Sequence, residues 1–115
     1  MHVTVTTVDQ KLMALIMEKI EANMGNPDYS VEDLASDVCM HRMSLYRKIL
    51  QSLYGMNPSV FMRTMRLKRA AQLLSADAGL SIVEVSEAVG FGTQKYFAKY
   101  FKEMFGVSPS QYKKR

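Results

Sequence analysis

One pattern occurs twice in this chain, and any fold it adopts must house both copies. Laying Ser81–Tyr112 over Ser30–Phe61 sets Ser81 on Ser30, Val89 on Val38, Lys99 on Lys48, Gly106 on Gly55, Pro109 on Pro58 and Ser110 on Ser59. Between these identities the chemistry persists, with Ile82 on Val31, Glu84 on Asp33, Val85 on Leu34, Phe105 on Tyr54 and Tyr112 on Phe61. A repeat that keeps caps, core and exit together marks one supersecondary unit used twice, and two copies are too few for a solenoid. Two related subdomains are expected.

Each copy reads as two short helices around a turn. Ser30 and Ser81 are N-cap residues, each followed three positions on by a carboxylate, Asp33 or Glu84, that suits the positive end of a helix. Val31, Leu34, Ala35 and Val38 share one face. After Cys39-Met40-His41 a second helix is expected from Arg42 to Tyr54, burying Leu45, Ile49 and Leu53 and stopped by Gly55. Tyr46 or Leu50 stands at its margin, and Arg42, Met43, Arg47 and Gln51 face the other way. In the second copy Gly90-Phe91-Gly92 replaces the turn and Thr93 to Phe105 forms the matching helix. Tyr96, Phe97, Tyr100, Phe101 and Phe105 make its expected core face, opposite Gln94, Lys95, Ala98, Lys99 and Lys102. Two short helices with a brief turn and a basic second member describe a helix-turn-helix. Ser108-Pro109 then begins a last turn through Tyr112.

Between the copies, Asn57-Pro58 has the cap-then-proline form of a helix start. No glycine or proline follows until Gly79, so one helix through Ser75, roughly 25 Å long, is expected as a connector. Its apolar residues Phe61, Met65, Leu67, Ala70, Ala71, Leu73 and Leu74 cover more than one narrow stripe, and Asp77-Ala78-Gly79 turns the chain into the second copy. Residues 1–7, β-branched and without helical period, read as a linker or the end of a preceding domain. Thr7 and Gln10 have capping-box spacing, and Leu12, Leu15, Ile16 and Ile20 then line one face of a helix ending near Met24 at Gly25. The organisation is therefore an all-α domain over 8–115 of about seven helices. Its first subdomain is 8–56, its connector 57–76 and its second subdomain 77–115.

The net charge of +4 matters less than its distribution. Residues 38–76 hold seven bases, Arg42, Arg47, Lys48, Arg63, Arg66, Lys68 and Arg69, and no acid. Residues 88–115 hold six bases against Glu103 alone, whereas residues 1–37 hold seven acids against Lys11 and Lys19. A field of one sign over the second half of each copy favours a polyanion. No apolar run reaches the roughly 20 residues of a membrane helix, so no membrane contact is expected of this segment. The single cysteine, Cys39, allows no internal disulfide and fits a reducing, cytoplasmic setting. Catalysis is not expected: the only imidazoles are His2 and His41, no glycine-rich phosphate loop or nucleophile elbow is present, and Cys39-Met40-His41 lacks two ligands of a zinc site. No cofactor or metal is expected.

The residues resemble those of the AraC/XylS-type transcription regulators over Ser30 to Tyr112. The resemblance rests on Leu34-Ala35 and Leu45-Tyr46-Arg47-Lys48 in the first copy, and on Arg66, Ala70 and Leu73-Leu74 in the connector. In the second copy it rests on Gly90-Phe91, Tyr96-Phe97, Phe101-Lys102 and Gly106-Val107-Ser108-Pro109 with Tyr112. The family often has glycine at Cys39, serine at His41 and alanine at Ser86. The resemblance implies two helix-turn-helix units on one long helix, double-stranded DNA as partner, and activation of transcription as the usual outcome. Residue by residue it implies base reading by Arg42, Met43, Tyr46 and Arg47 and by Gln94, Lys95, Ala98 and Lys99, with Met43 suited to a thymine methyl. Phosphate contacts are expected from Lys48 and Lys102, from Arg66 and Arg69, and from the helix starts at Ser30, Ser81 and Ser108. For Arg66 and Arg69, pairing within the fold competes with that role. The wording of the leader and of Met43–Lys48 resembles one subgroup, in which such a domain is the C-terminal output of a membrane-spanning hybrid two-component regulator responding to extracellular carbohydrate. A protein-interaction module touching RNA polymerase or a sigma factor through the acidic first helix is the alternative, and dimerisation of a longer protein belongs to its other domains.

Overall fold

A computed structural model describes residues 3–52, 55–76 and 79–113, with side chains from residue 10 onward. Among the described residues there are seven α-helices and no strand: α1 (Val3–Ala22), α2 (Val31–Asp37), α3 (Arg42–Leu50), α4 (Pro58–Ser75), α5 (Ile82–Ala88), α6 (Gln94–Phe105) and α7 (Pro109–Lys113). The chain divides into two compact units. The first holds residues 1–23 and 29–62, the second residues 24–28 and 63–115, so the division falls inside α4.

In the first unit α2 packs against α1 and α3. Ser30 closes a full capping box on α2: its hydroxyl accepts from the Asp33 amide at 3.1 Å while its own amide donates to Asp33 Oδ2 at 3.0 Å. The buried set is Ile16 and Ile20 from α1, Leu34 and Ala35 from α2 with its C-cap Val38, Leu45 and Ile49 from α3, and Phe61 and Met62 from α4. Tyr29 is buried beside them, and its hydroxyl donates to Asp37 Oδ2 at 2.7 Å. Burial first, then this bond and the charge of Asp37, push the phenol above its ordinary range.

Two expectations for this unit are revised. The first helix begins at Val3, so Thr7 lies inside it and does not cap it. β-Branched residues cost only a few tenths of a kcal/mol each in a helix, too little to exclude one. The second helix ends at Leu50, capped by Gln51, well before Gly55. The expectations on Leu53, Tyr54 and the Asp77-Ala78 turn lie outside the described residues, as do His2, Lys114 and Arg115.

In the second unit α6 packs against α5 and α7. Phe97 and Phe101 are fully buried and seed a ring cluster: Phe91 meets Phe97 at 5.3 Å, Phe101 meets Phe105 at 4.6 Å, and Tyr112 stands edge-on to Phe101 at 5.4 Å. Such offset and edge contacts suit the ring quadrupoles. Leu67, Ala70, Ala71 and Leu74 of α4, with Met24, Val85 and Val89, complete the buried hydrophobic set. Gly106, at φ 79°, ends α6 in the left-handed conformation that glycine adopts without a steric penalty.

Candidate nucleic-acid interface

The two helix-turn-helix motifs are not superimposable by one shift of the sequence. In the first, the chain passes from the α2 C-cap, Val38, to the α3 N-cap, His41; in the second it passes from Val89 to Thr93, one residue further. The extra residue moves the register of the second helix. Leu45 and Ile49, both fully buried, therefore stand where Phe97 and Phe101 stand, and not where Tyr96 and Tyr100 do. Arg42, Met43, Tyr46 and Arg47 then match Gln94, Lys95, Ala98 and Lys99 in order. The two sets of expected base readers occupy equivalent faces.

Every residue of both sets is exposed. On α3 the outward face combines cations with apolar surface, Met43 being 61% exposed. Arg42 Nη1 lies 3.4 Å from Glu32 Oε1, with both side chains open to water. A pair this exposed contributes little and is readily exchanged for another anion. On α6 the face is polar, with Gln94, Lys95, Lys99 and Lys102 around Ala98. Thr93 caps this helix through its hydroxyl, which accepts from the Tyr96 amide at 3.2 Å, whereas His41 makes no side-chain cap on α3.

One expected phosphate contact changes role. Arg66 is buried, and its guanidinium donates to the carbonyls of Met24 at 2.6 Å, Val89 at 2.7 Å and Asn26 at 2.9 Å. Its donors are committed inside the second unit, so it is a tie and not a phosphate ligand. Burial pulls its pKa down from the ordinary arginine value. At the helix starts of Ser30 and Ser81 a capping box takes up two of the amides. Each gives its amide to the carboxylate three residues on, Ser81 to Glu84 Oε1 at 2.9 Å, and that negative charge opposes a phosphate. The Ser81 hydrogen bonds hold the Glu84 carboxyl below its ordinary pKa, so the charge persists. Ser108 makes the neutral version of the same box with Gln111, at 3.0 and 3.2 Å. Lys102 is exposed, and Lys48 and Arg69 are half-buried.

Sequence reasoning missed Tyr96. Expected in the core, it is 55% exposed, beside Lys95 and Lys99. At 100° per residue it lies roughly 120° from the middle of the Phe97–Phe101 line, a signal available once that line alone is taken as the buried one. Tyr100, half-buried, carries Arg63 on its face at 4.0 Å, a cation–π contact that orients the guanidinium.

Among the described residues no helix is long and apolar enough to cross a membrane, and no three His, Cys, Asp or Glu side chains gather as a metal site. The whole chain is similar to the Formosa agariphila protein named histidine kinase P4, at 34% identity over 99% of this chain and 8% of that one. The chain spans between 8% and 36% of the length of the first three curated relatives it matches. Among solved structures, an AraC-type transcriptional regulator from Chromobacterium violaceum aligns with a TM-score of 0.81 at 29% identity, covering 94% of each chain. The DNA-binding domain of AdpA, a global transcriptional factor solved with a target DNA, aligns at 0.78 and 27%, covering 90% of this chain and 89% of that one. A helix-turn-helix domain model matches residues 34–115, and with these likenesses it places the chain in the AraC-type helix-turn-helix family of DNA-binding domains.

Proposed function

We propose that this chain is a sequence-specific reader of double-stranded DNA, the output part of a longer transcription regulator, with α3 and α6 as recognition helices in successive major grooves. The observation that carries the reading is the pair of equivalent faces. Each helix is pinned by two fully buried residues and turns four expected base readers to solvent, within stretches almost free of acids. A helix so presented fits a major groove, where arginine or lysine reads guanine and glutamine reads adenine. The AdpA domain's complex with DNA supports the same partner here. Likeness to a protein named as a histidine kinase supports placement within a hybrid two-component regulator; activation of target genes, the outcome usual in the family, is the direction proposed.

Selection of bound sites from random DNA tests this directly. We expect one enriched motif in two parts about 34 Å apart along one face of the duplex, and affinity that falls steeply with salt. Arg47→Ala should weaken the selected site more than random DNA, while Lys102→Ala should weaken both alike. Enrichment of no motif, or protection of a single major groove, would overturn the two-part reading.

A further inference from the structure

Three backbone carbonyls from two separate stretches of chain converge on one buried guanidinium in the second unit. Arg66 Nη1 donates to the carbonyls of Met24 at 2.6 Å and Val89 at 2.7 Å, and Nη2 donates to that of Asn26 at 2.9 Å. Two carbonyl oxygens drawn onto one nitrogen repel each other, so the cation between Met24 and Val89 is what makes their approach favourable. The approach is close: Gly90, the residue after Val89, has no room for a Cβ beside the Met24 carbonyl. The peptide 24–28 offers its carbonyls in a preset shape, since Pro27 fixes its own φ and the Asp28 amide donates to Asn26 Oδ1 at 2.9 Å.

From Val89 the connection to the second reading helix is short and stiff. Val89 is the C-cap of α5, and the turn behind it bonds back to that helix, the Gly90 amide to the Glu87 carbonyl at 3.0 Å and the Phe91 amide to the Ser86 carbonyl at 3.1 Å. The Phe91 ring packs on Phe97, whose full burial fixes the roll of α6, and Gln94 opens that helix directly after the Thr93 cap. At the matching place in the first motif stands the exposed Cys39, so the two readers are held differently.

We propose that Arg66 is the positioning residue of the second reader: through its guanidinium the peptide 24–28, where the chain leaves α1, fixes the angle at which α6 meets DNA. Arg66 acts through the turn and not on DNA. Displacing the peptide weakens reading at the α6 half-site selectively. This rests on the DNA-reading function above and adds how one of its two helices is aimed.

The experiment uses the 115-residue chain, the two-part site it selects, and two versions of that site with one half or the other scrambled. The α6 half is identified as the one whose sequence preference changes in Lys99→Ala. Kd is measured on all three DNAs for the wild type, Arg66→Met, Arg66→Lys, a variant with one glycine inserted after Gly25, and Leu74→Ala, a core truncation in the same unit with a stability loss of similar size. Circular dichroism melts fix a temperature at which each protein is folded. Scrambling the α6 half should cost the wild type and Leu74→Ala about tenfold or more, the worth of a good bidentate base contact, and should cost Arg66→Met and the insertion variant little. Arg66→Lys should recover part of the discrimination, because an ammonium still donates to these carbonyls but lacks the planar fork. Every protein should keep the full penalty for scrambling the α3 half. Should Arg66→Met not fold, Arg66→Lys and the insertion variant decide. Full α6-half discrimination in the folded Arg66 and insertion variants overturns the proposal, and so does an equal loss in Leu74→Ala, which would make Arg66 one more core residue. Failure of the parent reading is distinct, because then no two-part site is selected and no half-site can be defined.

Discussion

The turn of the first motif and the turn of the second solve the same problem in opposite ways. Both need one residue with positive φ after the short helix. The first uses Cys39 at φ 57°, the only non-glycine of that kind among the described residues; the second uses Gly90 at φ 79°. Cys39 is exposed and its side chain leaves the fold, so the strain is local. At Gly90 there is no room for a side chain at all, because a Cβ would lie 2.4 Å from the Met24 carbonyl oxygen and closer still to Arg66. The first turn is permissive and mildly strained, with no side-chain cap on α3. The second is crowded, tied by Arg66 and capped by Thr93. Equal topology therefore does not imply equal tolerance.

The sharpest way to break this contrast is to put the same side chain into both turns. Gly90→Ala should cost about 4 kcal/mol or more, since the new Cβ displaces Arg66 and is also held at positive φ. Cys39→Ala should be near neutral; urea denaturation of the two variants, monitored by circular dichroism, decides, and similar losses would erase the distinction. Next in size, Arg66→Met should cost about 3 kcal/mol by leaving buried carbonyls without donors, and Arg66→Lys should recover only part of it. Thr93→Val should cost about 1 kcal/mol through the lost cap, while His41→Ser should gain a similar amount by supplying one. Cys39→Gly should gain about 0.5 kcal/mol, the relief of αL strain less the added freedom of the unfolded chain.

The smallest effect is one of pH. The Glu84 carboxyl is held below its ordinary value by the Ser81 bonds, so folding stabilises the ionised form. Its contribution is present above the unfolded carboxylate pKa, about 4.3, and is lost as pH falls through the lower folded value. Glu84→Gln should flatten the acid limb of a thermal-melting profile, and an unchanged limb would assign acid sensitivity elsewhere.

The all-α class, the boundaries of α2, α4 and α5 to within a residue or two and the outward placement of the candidate readers other than Tyr46, which the sequence leaves at the helix margin, were legible in the sequence. Caps, prolines and apolar period are local signals, and local physics produced them. What was not legible depended on distance. Arg66 looks like its basic neighbours in a string of letters; only the carbonyls of Met24 and Asn26, forty positions away, make it structural. Tyr96 is misplaced when all the rings of α6 are taken as one core face at helical spacing, whereas Phe97 and Phe101 alone mark the fully buried line.

The segment 24–28 lies between α1 and α2 in sequence but belongs to the second unit, where two of its carbonyls bind Arg66. Cutting the chain once within α4 does not therefore yield two self-sufficient halves. A piece beginning at residue 63 would carry the arginine without two of its three acceptors, a buried cation deprived of its oxygen cradle. The motifs come in duplicate, but the two compact units are interleaved along the chain and no single cut separates them.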